Sequence, residues 1–197
     1  GCQLDPMLVL EGDQGARKTT AHRERASADW ISSTPIDLRR SPDCYQQLDG
    51  RWLYELGEFD QLVRQSDHAA IKAYVSSRQD SYRPSYGRNV ITRLRGVAFS
   101  GSTNESTYLS DATGARRFLC FRCGVVEVEA IQRDRGQLGA EATHLYNAGH
   151  TWWLRREMDE AQAEEADARY QGDSWEEMLP GILGSRVSVS SAAALCL

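Results

Sequence analysis

A chain of 197 residues, 41% of them hydrophobic, has enough apolar material for one substantial core, alone or with a small appendage. A formal net charge of -5 excludes an overall basic footprint, so contact with nucleic acid needs a local patch or several subunits acting together. No apolar stretch approaches the roughly 20 residues of a membrane span, no signal peptide opens the chain, and five scattered cysteines make no disulfide framework; the expectation is a protein of the reducing cytoplasm without membrane contact.

Residues Gly1 to Pro6, with no initiator Met, lead almost directly into the apolar run Met7-Leu8-Val9-Leu10, which predicts a buried strand and reads as part of something longer. Gly12-Asp13-Gln14-Gly15-Ala16-Arg17-Lys18-Thr19 follows, and then a helix expected from Lys18 to Ala28. A Gly-containing turn between strand and helix is the arrangement of a phosphate-binding loop: Gly12 and Gly15 let backbone N–H groups face anionic oxygens, and the helix N-terminus adds partial positive charge. In that reading Lys18 reaches the β- and γ-phosphates of ATP and the Thr19 hydroxyl binds Mg²⁺. Arg17 departs from the pattern, which has Gly before the Lys. The plainer reading is a turn that binds nothing.

Beyond Thr34-Pro35-Ile36-Asp37, expected as a turn, Ser41-Pro42 opens a short helix reaching Leu48, and Arg51 to Leu56 reads as a strand. A phosphate-loop ATPase needs an acid at the end of a neighbouring strand to hold Mg²⁺ and polarise water, and Glu58 stands in that position. Glu55 is a metal ligand, a group behind one, or a solvent-facing residue of an edge strand. Ala69 to Ser76 is an expected helix with Ile71, Tyr74 and Val75 as its stripe, Tyr82 to Arg88 is turn-rich, and Asn89 to Leu94 alternates like a hairpin arm. Gly96 to Gly101 reads as a strand followed by Asn104, a candidate sensor that orients attacking water. The paired Arg116 and Arg117 suit transition-state phosphate charge on a neighbouring subunit, which implies a ring, unless they pair with Asp111 or Glu105.

Cys120 and Cys123 form a C-x-x-C without a second pair, inside a predicted strand from Phe118 to Cys123. A helix follows from Glu127 to Tyr146, interrupted by Gly136 and Gly139, and a charged one from Asp159 to Ala168, after which Trp175 is a docking candidate. Strands alternating with helices predict a three-layer α/β domain with a mostly parallel central sheet over residues 1–150 and a helical C-terminal extension over 151–180. Residues 181–197, nearly uncharged and without amphipathic pattern, read as a divergent, disordered tail of a truncated copy.

Trp52-Leu53-Tyr54-Glu55-Leu56-Gly57-Glu58, then Ile71 to Asp80, Tyr82-Arg83-Pro84-Ser85-Tyr86-Gly87-Arg88, Gly101-Ser102-Thr103-Asn104-Glu105 and Thr113-Gly114-Ala115-Arg116-Arg117-Phe118 together resemble the virulence-associated protein E family over roughly Met7 to Tyr170. The resemblance implies a phage, prophage or plasmid ATPase of the P-loop NTPase fold, similar to AAA+ proteins and superfamily 3 helicases and often joined to a primase region. It matches Lys18 and Thr19 to the phosphate loop, Glu58 to the acidic motif, Asn104 to the sensor and Arg116 or Arg117 to an arginine finger. Lys72, Arg78, Arg83 and Arg88 fall where such helicases carry basic residues to DNA; the plainer reading is a solvated face paired with Asp67 and Asp80. Tyr82 and Tyr86 are candidates for base stacking or for packing on the hairpin.

The implied function is an ATP-dependent helicase-type motor of a replication protein, with Mg-ATP bound between subunits of a homo-oligomer, single-stranded or forked DNA as partner, and a primase or replication initiator alongside. The alternatives are a degenerate nucleotide- or DNA-binding remnant that does not hydrolyse, and a structural partner in a replication complex.

Overall fold

The computed structural model describes residues 4, 6–36, 41–65, 68–109 and 117–170, with side chains omitted for 41–43, 64, 65, 68 and 69. Its centre is a parallel five-stranded sheet in the order β2-β3-β6-β1-β7. The strands are β1 (Met7–Glu11), β2 (Ile31–Ser32), β3 (Leu53–Leu56), β6 (Ala98–Thr103) and β7 (Phe118–Arg122). Strand β3 is buried at all four positions, as a parallel strand covered on both faces must be.

The two faces follow from strand alternation. Met7, Val9, Tyr54, Leu56, Phe99 and Phe118 form the larger core with residues from α2 (Ser41–Gln46), α3 (Phe59–Gln65), α4 (His68–Val75) and α6 (Asp159–Asp167). Phe59 meets the Tyr108 ring edge-to-face and the Phe118 ring at a tilt, with centroids 6.0 and 5.3 Å apart. Gly101 lies beneath Phe59, where a Cβ would sit 3.2 Å from Met7 Cε and 3.3 Å from the Phe59 ring, so a side chain here would make these neighbours shift by a few tenths of an ångström. The opposite face is smaller: Ala26 of α1 (Lys18–Ala26) packs on Ile31, Leu53 and Ala98. Helix α5 (Val128–Asn147) lies against α1 and is largely exposed beyond the buried Val128; Gly136 and Gly139 fall in its exposed part.

A separate antiparallel hairpin, β4 (Gln79–Tyr82) and β5 (Ile91–Leu94), rises between α4 and β6. Tyr82 donates to Asp49 Oδ2 at 2.9 Å, and Arg95 Nε donates to both Asp80 oxygens at 3.1 and 3.2 Å. The Arg95 guanidinium also lies over the rings of Tyr74 and Phe99, 4.9 and 5.4 Å from their centroids. Strand β4 was hidden in the sequence because one of its two inward residues is the charged Asp80, neutralised by an arginine 15 positions away. The two-residue β2 and the helix α3 were also not anticipated, and α1 stops at Ala26 because Ser27 turns to φ 72°.

No described helix is long and apolar enough to cross a membrane. Cys44, Cys120 and Cys123 form no disulfide among the described residues, while Cys2 and Cys196, like Trp175 and the tail 181–197, lie outside them.

Candidate functional site

Residues 12–17 connect β1 to α1, and their path is fixed from both sides. Gly12 N–H donates to Thr103 O at 3.3 Å, while Cys123 N–H donates to Glu11 O at 2.8 Å. A Cβ on Gly12 would collide with the Cys123 carbonyl oxygen, so this position admits only glycine without a backbone shift. Gly15 and Arg17 then take positive φ values of 86° and 64°.

For Arg17 that left-handed conformation costs on the order of 1 kcal/mol, the physical reason a glycine suits this place. The Arg17 side chain turns towards the first turn of α5, donating from Nη1 and Nη2 to the Glu129 carboxylate at 3.2 and 3.0 Å. The pairing raises the guanidinium's pKa and lowers that of Glu129.

Lys18 opens α1 and is buried. Its ammonium donates to Gly12 O at 2.8 Å, Asp13 O at 2.9 Å and Asn104 Oδ1 at 2.9 Å. Two candidate residues 86 positions apart therefore touch, because β6 pairs directly with β1 and Asn104 follows β6 as Gly12 follows β1. Gly15, Ala16, Arg17, Lys18, Thr19, Glu58 and Asn104 line one open cleft of about 440 Å³, together with Gln14, Thr20, Gly57, Ser102 and Thr103. Glu58 sits at φ 49° between β3 and α3, an exposed carboxylate at the edge of that cleft.

Glu55 is not solvent-facing, and its strand is not at the edge: β3 lies between β2 and β6, and Glu55 is 1% exposed. Its Oε1 accepts from Ser102 Oγ at 3.0 Å, whereas Oε2 is buried and has no hydrogen bond to any described residue. Glu55 lines an adjoining cavity of about 350 Å³ that shares Gly57 and Glu58 with the cleft.

Three neighbours were not singled out from the sequence. Ser102 and Thr103 belong to the cleft wall, and Thr103 Oγ1 donates to the buried Asp60 Oδ1 at 2.8 Å, tying the start of α3 to the end of β6. The available signal for α3 was Phe59, Leu62 and Val63 at helical spacing directly after Glu58.

Arg117 is not brought to the cleft of its own chain. Phe118 pairs with Met7 and Arg122 with Glu11, so Arg117 stands at the opposite end of the sheet, roughly 17 Å along β7. Arg116 and Asp111 lie outside the described residues.

The four basic candidates lie on different elements. Arg83 and Arg88 are exposed in the β4–β5 connection, Arg78 is exposed at the hairpin base, and Lys72 is half-buried on α4. Asp80 pairs with Arg95 rather than with any of them, and Asp67 is outside the described residues. Tyr82 is buried, whereas Tyr86, between Arg83 and Arg88, is wholly exposed.

Behind the cleft, His22 of α1 is 1% exposed with Nε2 3.2 Å from Gly101 O, which suits the tautomer that donates from Nε2. Burial, assisted by the charge of Arg25, lowers its pKa to about 4.

No curated protein matches the chain. Among solved structures it is similar to the A form apo structure of the NrS-1 C terminal region, with a TM-score of 0.54 and 12% identity over 86% of this chain and 43% of that one. A second structure of the NrS-1 C terminal region, residues 305-718, gives a TM-score of 0.48 at 16% identity over 99% of this chain and 45% of that one. The chain thus spans less than half the length of these neighbours, and the first of them shares its α/β fold with a mostly parallel central sheet. The family model for the virulence-associated protein E-like domain matches residues 1–171, and the chain belongs to that family.

Proposed function

We propose that the cleft binds Mg-ATP and that the chain is the helicase-type ATPase motor domain of a replication protein from a phage, prophage or mobile element, with the loop of residues 12–17 as its phosphate loop. The observation that carries this reading is the convergence of Lys18, Thr19, Glu58 and Asn104 on one cleft between the ends of parallel strands. Membership of the virulence-associated protein E-like family favours a role in replication.

The donor set fits the ligand. Lys18 offers an ammonium and Thr19 an exposed hydroxyl, and the unpaired buried Oε2 of Glu55 beside Glu58 is the kind of oxygen a cation site uses. Mg²⁺, when bound, shields the phosphate charges. In this reading Thr19, Glu58 and Glu55 hold the cation, while Glu58 and Asn104 orient the attacking water. Lys18 exchanges its loop carbonyls for phosphate oxygens and meets the charge that grows in the transition state. Arg116 or Arg117 of a neighbouring copy supplies the remaining positive charge, which calls for a homo-oligomeric ring. Single-stranded or forked DNA meets Arg83, Arg88 and Tyr86 on the hairpin, with Arg78 and Lys72 behind them.

The test is phosphate release from Mg-ATP with and without single-stranded DNA. Wild type is expected to hydrolyse and to be stimulated by DNA, and Lys18→Ala to lose turnover by at least about a hundredfold. Equal turnover in Lys18→Ala would refute the site. A second reading, a nucleotide- or DNA-binding remnant without turnover, is favoured by the strained Arg17 and by a Lys18 whose three donors are already engaged. Nucleotide binding without phosphate release would select it.

A further inference from the structure

Glu11 and Arg169 lie 158 positions apart in the chain and form a bidentate ion pair in the interior. Arg169 Nε and Nη2 donate to the two oxygens of Glu11 at 2.6 Å each, and both side chains are buried. The Tyr108 hydroxyl donates to the same carboxylate at 3.3 Å. On its outer side Arg169 Nη1 donates to the carbonyl and carboxylate of Glu165, both at 2.5 Å.

The backbone joins in. Tyr108 N–H and Leu109 N–H both donate to Arg169 O at 3.0 Å, and Leu109 pairs with Tyr170.

Three segments therefore meet at one residue. Glu11 ends β1 and is one peptide bond from Gly12, where the loop begins. Tyr108 and Leu109 follow Asn104 and lead towards Arg116 and Arg117. Arg169 lies two residues beyond the end of α6, which packs on β7. A planar fork matched to a carboxylate fixes distance and direction together, and removing one partner of such a buried pair leaves a charge that the surroundings must rearrange to satisfy. Nothing in this arrangement touches the cleft, so any effect on it passes through Glu11 and residues 108 and 109.

We propose that Arg169 is a positioning residue for the cleft: by clamping Glu11 to Tyr108 and Leu109 it holds the loop of residues 12–17 in its binding shape and joins it to the segment that leads to the arginine pair. The effect on nucleotide rests on reading the cleft as an ATP site; the effect on loop order does not.

Hydrogen exchange of the full chain tests the second part directly, with Arg169→Met and the charge-retaining Arg169→Lys compared at a temperature where both are folded. Exchange at the Gly12, Ala16, Tyr108 and Leu109 amides is expected to rise about tenfold or more in Arg169→Met and by less in Arg169→Lys, while the Arg95 amide bonded to Arg78 O stays protected. Unchanged exchange at Gly12 and Ala16 in both variants, or an equal rise at Arg95, overturns the proposal. Titration with a fluorescent ATP analogue and steady-state hydrolysis supply the first part: a roughly tenfold rise in Kd and KM with kcat within about threefold is expected, because a lost clamp weakens binding, whereas a smaller folded fraction lowers kcat alone. A kcat loss at constant KM overturns it. If wild type binds no nucleotide, the reading of the cleft fails and the exchange result alone decides on the clamp.

Discussion

His22 shows how one buried side chain sets a pH limit. Its folded pKa is lowered from 6.5 to about 4, so between those values the unfolded chain takes up a proton that the folded chain refuses. Stability is therefore unaffected by this group above pH 6.5 and falls as pH drops from 6.5 towards 4, by up to about 3 kcal/mol. Urea denaturation at pH 7 and pH 5 should show the loss in wild type and a smaller loss in His22→Gln; equal losses would refute the assignment.

Arg17 gives a second residue-scale expectation. Replacing it with Gly relieves the left-handed strain but removes the solvent-exposed ion pair to Glu129, and the two effects are opposite in sign. Arg17→Gly should thus unfold close to wild type, whereas Arg17→Ala keeps the strain, loses the pair and should be the less stable of the two. Both variants lack the ion pair, so the reverse order in denaturant midpoints would show that the left-handed backbone at this position is not the deciding term.

At the scale of elements, the hairpin is anchored at its base by charged pairs. Arg95 binds Asp80, reaches Tyr74 O and covers two aromatic rings, while Asp49 accepts from both Tyr82 and Arg93. The base is thereby packed into the core, and the connection carrying Arg83, Tyr86 and Arg88 is left to solvent. If that connection meets single-stranded DNA, Tyr86→Ala should cost about 1–3 kcal/mol of binding through lost stacking. Arg83→Ala or Arg88→Ala should each reduce the slope of log K against log salt by about 0.7. Fluorescence anisotropy of a labelled oligonucleotide across a salt series measures both, and unchanged affinity in all three variants would remove the hairpin as the contact.

At the scale of the molecule, the sheet separates the cleft from Arg117. The loop follows the ends of the strands and Arg117 precedes their starts, so no small motion within one chain brings them together. If Arg117 assists hydrolysis, it does so for a neighbour. Lys18→Ala and Arg117→Ala should each be inactive alone, and mixing them should restore part of the activity, because mixed assemblies contain interfaces with an intact loop on one side and an intact arginine on the other. Phosphate release from the mixture no greater than the sum of its parts would argue against shared sites.

The sequence by itself determined the alternation of strands and helices, the glycine-bearing turn after the first strand, and the order in which Lys18, Glu58 and Asn104 follow one another. These are local matters: apolar periodicity, residues that permit positive φ, and polar groups at strand ends are all written within a few neighbouring positions. Tertiary structure decided which of them meet. That Lys18 touches Asn104 depends on β1 pairing with β6, that Glu55 meets Ser102 depends on β3 pairing with β6, and that Asp80 can point inward depends on Arg95. The Glu11–Arg169 pair spans nearly the whole chain and has no local signature, because a buried charge is tolerated only where folding delivers its partner.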